Sequence, residues 1–210
     1  MGAVEQAGVL CAVGFNRRFS SLAIELQDAL TKVSGPKHVI YRVNAGPLPK
    51  THWLLDPDVG GGRIVGEGCH FFDLMTWLTR SDPVSVSAQA VADTDEDVAA
   101  IVKFSDSSVG TLIYTGLGDP TFPKERIEIF TGGGVAVLDD FHSLTFSGLS
   151  GKSHKLRTRD KGHRSLLAHF LRAVSGQESL AVTAYDGLMA TLCTEAVLRS
   201  LSTGKVVQIS

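Results

Sequence analysis

The stretch Gly60-Gly61-Gly62-Arg63-Ile64-Val65-Gly66-Glu67-Gly68-Cys69-His70-Phe71-Phe72-Asp73 organises the 210-residue chain. Three adjacent glycines free the backbone for a tight turn or a close approach. Phe71, Leu74, Met75 and Leu78 then fall at helical spacing and predict one apolar stripe running to Thr79. Glu67, His70 and Asp73 recur every third residue, and residues three apart share a helix face. Three ionisable side chains on one face point to a proton-transfer and substrate-holding site. The competing reading is a glycine loop before a partly exposed helix, with His70 a satisfied polar residue.

Upstream, the apolar run Val9-Leu10-Cys11-Ala12-Val13-Gly14-Phe15 reads as a buried strand, because it is continuous rather than alternating. It ends in the basic turn Asn16-Arg17-Arg18-Phe19. Ser20 or Ser21 caps a helix with Leu22, Leu26, Ala29, Leu30 and Val33 on one side, stopped by Gly35-Pro36. His38 to Asn44 is rich in β-branched and aromatic residues, as strands are. The connection from Ala45 to Val59 is long enough to be a functional loop, and it holds Lys50, His52 and Trp53.

Downstream the period changes to two. Val84 to Ala90, Val98 to Phe104, Val109 to Thr115, Glu125 to Thr131, Val135 to Leu138 and Leu144 to Phe146 predict short strands joined by turns such as Asp106-Ser107-Ser108. The basic segment from Gly151 to Gly162 reads as a solvated loop. Two helices follow. One carries Leu166, Leu167, Phe170, Leu171 and Val174; the other starts at a Thr183/Asp186 capping box and packs Met189 and Cys193 into the core. Val206 to Ile209 can add a last strand. The fold class is therefore α+β: a largely antiparallel open sheet of about six strands, with helices packed on one face.

Composition narrows the function. Hydrophobic residues make up 43% and charged residues 20%, with a net charge of −2, so the chain is an ordinary globular protein without a field for nucleic acid or anionic lipid. No apolar run approaches the ~20 residues that cross a bilayer. Cys11, Cys69 and Cys193 lack metal-ligand spacing and read as reduced thiols of a cytoplasmic protein; no metal site is expected.

Val13 to Phe19, His52-Trp53, Gly60 to Asp73, the strand run from Val84 to Leu138 and Asp160-Lys161-Gly162-His163 together resemble the C-terminal domain of the glucose–fructose oxidoreductase / inositol dehydrogenase (Gfo/Idh/MocA) family. The resemblance implies an NAD(P)-dependent dehydrogenase of sugars, cyclitols or related alcohols and ketones. In that family a Rossmann domain precedes an α+β domain, whose open sheet often forms the subunit interface. Residues 1–15 then correspond to the last Rossmann strand or an N-terminal extension, and 16–210 to the substrate-binding and oligomerisation domain. His70 matches the catalytic histidine. The family's aspartate, four residues earlier, corresponds to Gly66, and Glu67 stands beside it as a second catalytic candidate. Arg17, Arg18, Lys50, His52, Trp53, Arg63 and Asp73 are the candidate substrate-binding residues; Asn16 and Arg17 lie where cofactor and substrate would meet.

The sequence departs from the family in two ways. It contains no Gly-x-Gly-x-x-Gly turn after a strand, and neither Pro49-Lys50 nor Pro123-Lys124 recreates the family's Glu-Lys-Pro segment. NAD(P) is thus expected in the complete enzyme but not on this chain alone. The expected partners are a sugar-like small molecule, a second copy joined through the sheet, and a separate Rossmann domain or chain. Two other readings stay open: a cofactor-free binding or scaffold protein, and a cofactor-independent acid/base enzyme using His70 and Glu67.

Overall fold

The computed structural model describes residues 2–56, 58–92 and 96–209. In chain order the elements are α1 (Gly2–Ala7), a 3-10 turn (Asn16–Phe19), α2 (Ser21–Leu30), β1 (His38–Asn44), a second 3-10 turn (Trp53–Leu55), a π-helical turn (Ile64–Gly68) and α3 (Cys69–Thr79). Then come β2 (Pro83–Ala90), β3 (Val98–Phe104), β4 (Val109–Thr115), β5 (Glu125–Thr131), β6 (Gly134–Asp139), β7 (Ser143–Ser147), β8 (His154–Lys155), α4 (His163–Val174), α5 (Ala184–Thr203) and β9 (Val207–Gln208).

Among the described residues nine strands form one sheet in the order β8-β7-β6-β5-β1-β4-β3-β2-β9. Every pairing is antiparallel except β1 with β4, where Tyr41 lies beside Leu112. The sheet is wider than the six strands expected because β1 enters its centre and the two-residue strands β8 and β9 close its edges. Period-two patterning sets the faces. In β3, Val98, Ala100, Val102 and Phe104 are buried while Ala99, Ile101 and Lys103 point outward.

The inner face is covered by α2, α3 and α5. Phe71, Leu74, Met75 and Leu78 of α3 are all fully buried, as their spacing predicts. Transfer of four such side chains from water is worth roughly 6–12 kcal/mol before the entropy of ordering. Close approach of α3 to the sheet explains Gly110: a Cβ there would lie 2.9 Å from the Met75 sulfur. Cys193 is buried in α5, and Thr183 and Asp186 form the expected capping box.

Three local expectations fail. Residues 9–15 form no strand: the sheet ends at β8 and β9 and offers the run no neighbour, so Val9 and Leu10 are left exposed. Neither Ser20 nor Ser21 caps α2 in the ordinary way. The Ser20 hydroxyl is buried without a partner, and the Asp160 carboxylate accepts instead from the Ser21 amide and hydroxyl at 3.1 and 3.0 Å. In α4 the buried residues are His169 and Ala173, so Leu167, Leu171 and Val174 face outward.

Candidate active site

The chain from Leu54 to His70 is shaped by hydrogen bonds within the loop. The Gly60 and Gly61 amides both donate to the Asp56 carbonyl, and the Gly62 amide donates to that of Leu54. The π-helical turn that follows inserts an extra residue per turn before α3, a distortion found often at functional sites. Gly66 sits inside it, and a Cβ there would stand 2.1 Å from Leu54 Cδ1. Leu54 thus fills the space into which a side chain at position 66 would extend.

Glu67 is held on both oxygens. Oε2 accepts from the Tyr114 hydroxyl at 2.6 Å and Oε1 from Lys124 Nζ at 2.8 Å. The Tyr114 hydroxyl accepts in turn from Arg63 Nη1 at 3.2 Å, and Arg63 Nη2 donates to the Gly46 carbonyl at 2.7 Å. Burial raises the Glu67 carboxyl, but the bonds from Lys124 and Tyr114 outweigh it and hold the group below its ordinary value. Glu67 is therefore an anion with both oxygens engaged.

His70 opens α3. Its ring meets Phe15 edge-on, with centroids 5.4 Å apart. Nδ1 is buried without a hydrogen-bond partner, and the residue is only half-buried, so Nε2 is the nitrogen that solvent reaches. Burial, then the nearby Arg17 charge, lowers the imidazole from 6.5 to about 4, against the opposing pull of Glu67 and Glu125. At neutral pH the ring is uncharged.

A second polar cluster lies behind it. Arg17 grips Glu125 through Nε and Nη2 at 2.8 and 3.0 Å and lies over the Phe71 ring. Tyr41 and Lys161 donate to the same carboxylate. Burial raises Glu125, but Arg17 and Lys161 overcome it and bring the carboxyl down to about 2.

The expected convergence of Glu67, His70 and Asp73 does not occur. Asp73 is buried and bonded to Arg18 through both oxygens; Arg18 also pairs with Asp186 at 2.8 Å. Arg18 and Asp73 thus tie α3 to the start of α5, and their donors and acceptors are committed to one another. Arg63, 1% exposed, is likewise scaffold. Asn16 donates to the Lys161 carbonyl at 2.7 Å, and the Arg17 guanidinium is committed to Glu125. Lys50 is exposed on its loop, His52 Nδ1 accepts from the Leu54 amide, and Trp53 is 61% exposed beside the His52 ring.

Sequence reading missed Glu125, Tyr114, Tyr41, Lys124 and Lys161. The signal was present for three of them. Glu125 shares its strand phase with Ile127 and Ile129, Tyr41 with Val39 and Val43, and Tyr114 with Leu112. The segment from Gly151 to Gly162 is not wholly solvated either, since Lys161 reaches Glu125 and Arg159 pairs with Asp140.

With this geometry in hand, comparison with known proteins is direct: residues 36–137 match the family described as the GFO/IDH/MocA C-terminal domain. Those residues are a GFO/IDH/MocA C-terminal domain. Over 224 aligned positions the chain is 24% identical to a myo-inositol 2-dehydrogenase of Thermotoga maritima, covering 98% of this chain and 66% of that protein. It is equally similar, at 24%, to the uncharacterized oxidoreductase YrbE of Bacillus subtilis, covering all of this chain and again 66% of the relative. The chain thus spans about two thirds of the length of these curated relatives. Among solved structures, an oxidoreductase domain protein from Kribbella flavida superposes with a TM-score of 0.83 at 18% identity, covering 100% of this chain and 68% of that one. GenD2 from gentamicin A biosynthesis, solved in complex with NAD, superposes at 0.79 with 16% identity over 100% of this chain and 66% of that one.

The Gly60, Gly61 and Gly62 amides, which a phosphate would need, already donate inside the loop, and Asn16 and Arg17 are committed to Lys161 and Glu125. Among the described residues no three His, Cys, Asp or Glu side chains gather as a metal site, and no helix is long and apolar enough to cross a membrane.

Proposed function

We propose that this chain is the substrate-binding half of an NAD(P)-dependent oxidoreductase acting on a sugar, a cyclitol or a related alcohol or ketone. One observation carries the reading. His70 keeps a ring nitrogen, Nδ1, without a hydrogen-bond partner, on a half-buried ring under the charges of Arg17, Glu67 and Glu125. A merely structural histidine in so polar a setting would have found a partner. Glu67, Tyr114 and Lys124 form one hydrogen-bonded group and supply an anion, a phenol and an ammonium suited to hydroxyl groups. Arg17 and Glu125 set the charge behind the ring.

The nucleotide is held by residues other than these 210, in keeping with relatives half as long again. An acid/base enzyme relying on Glu67 is disfavoured, because both oxygens of that carboxylate are engaged. Ile101, Ile113 and Phe130 on the uncovered face of the sheet, each at least 40% exposed, support a homodimer through that face.

The test is a titration of the chain with a panel of cyclitols, aldoses and their ketones, followed by calorimetry. Binding in the millimolar range or tighter, lost in His70→Ala, is expected. Binding indifferent to His70→Ala would favour the scaffold reading and overturn this one.

A further inference from the structure

We propose that the cavity at the C-terminal end of α3 binds a free α-amino acid, its carboxylate held by Arg80 and its ammonium by Asp82 and the Gln27 side-chain oxygen. This is a second site. At about 1.5 Å per residue, α3 carries Arg80 roughly 15 Å from His70.

The cavity measures about 370 Å³, and Arg18, Gln27, Trp77, Arg80, Asp82 and Asp186 are among its walls. That volume falls within the range of small-molecule sites, about 300–1,000 Å³. Gln27 comes from α2, Trp77 and Arg80 from the end of α3, and Asp186 from the first turn of α5. One part of this wall is already spent. Arg18 is bonded to both oxygens of Asp73 and pairs with Asp186 at 2.8 Å.

The other part is not. Gln27 is 9% exposed and donates Nε2 to the Trp77 carbonyl at 2.7 Å, but its buried Oε1 has no partner. Native structures rarely leave a buried amide oxygen without a donor, and an ammonium in the cavity supplies one. Arg80 closes α3 in the left-handed conformation, with φ 57° and ψ 39°. Glycine is favoured at such a position because a Cβ strains it. Among the described residues the Arg80 guanidinium has no hydrogen bond or ion pair. Strain of this kind persists where the side chain is put to use.

Asp82 completes the set. Its Oδ2 accepts from the Tyr185 hydroxyl at 3.1 Å, and Oδ1 has no bond among the described residues. Arg80 and Asp82 thus line one cavity with opposite charges and do not pair with each other. A simple anion would meet the Asp82 and Asp186 carboxylates, and a simple cation would leave Arg80 uncompensated. A small zwitterion satisfies both charges and the Gln27 oxygen together.

The test is isothermal titration calorimetry of the full chain with L-serine, L-serinamide, which lacks the carboxylate, and N-acetyl-L-serine, which lacks the ammonium. L-Serine should bind with a Kd in the millimolar range or tighter. Each blocked analogue should bind at least about ten-fold more weakly, because each forfeits a charge-assisted contact. Arg80→Gly separates binding from folding: relief of the left-handed strain should leave Tm equal or higher, while L-serine affinity falls at least about ten-fold. Asp82→Asn leaves the backbone alone and should weaken L-serine in the same way. No binding of L-serine, equal binding of the three compounds, or unchanged affinity in both variants would overturn the proposal. None of these readings uses a sugar or a nucleotide, so its failure leaves the reading of His70 standing.

Discussion

Replacing Glu125 with alanine should be among the most costly single changes in this chain. Its carboxylate is 1% exposed and accepts two bonds from Arg17, itself buried, and one each from Tyr41 and Lys161. Removal strands the Arg17 cation in the interior, which typically costs about 3–5 kcal/mol. The titration of the group gives a second route to the magnitude. A carboxyl brought from 4.5 down to about 2 on folding is worth about 3 kcal/mol at neutral pH. Because the folded value is the lower one, this contribution is present above pH 4.5 and is lost as pH falls toward 2. Urea unfolding followed by circular dichroism at pH 7 reads the loss directly. With a slope of about 1–3 kcal/mol per molar, the midpoint should fall by roughly 1–5 M. The double variant Arg17→Met/Glu125→Leu removes both charges and should cost clearly less than the sum of its two single changes. A Glu125→Ala loss below about 1 kcal/mol, or strict additivity in the double variant, would refute the picture of a closed ionic knot behind His70.

Other outcomes follow from the same geometry. Tyr114→Phe removes one of the two bonds to Glu67 and should cost about 1 kcal/mol while raising the Glu67 pKa, read by carbon-13 titration. Gly66→Asp drives a side chain into Leu54 and should destabilise by about 1–3 kcal/mol, with partial recovery in Leu54→Ala; full tolerance would show that the space is open. Phe130→Lys with Ile101→Lys should convert a dimer to a monomer by light scattering, leaving unfolding unchanged. NADH added to the chain should give no fluorescence enhancement, since the loop amides are already bonded; tight binding would contradict this.

The sheet was legible because β3, β4 and β5 alternate cleanly, and α3 because its four apolar residues fall on one stripe. Where reading failed, the cause was non-local. Val9 to Phe15 has the composition of a strand, yet pairing needs a neighbour that composition cannot supply. Spacing placed Glu67, His70 and Asp73 on one face, but the π-helical turn altered the register and distant partners decided the rest. Arg18 claimed Asp73, while Tyr114 and Lys124 claimed Glu67. Arg17, Arg18 and Arg63 looked available because cations are mostly exposed. Each is instead buried among partners that lie far away in the sequence.

A crystal structure of the chain grown with a cyclic polyol or its ketone tests the placement of the site most directly. The ligand should lie with an oxygen within hydrogen-bond distance of His70 Nε2 and within reach of Glu67 or Lys124. A ligand bound elsewhere, or an imidazole closed off from it on both nitrogens, would contradict the account.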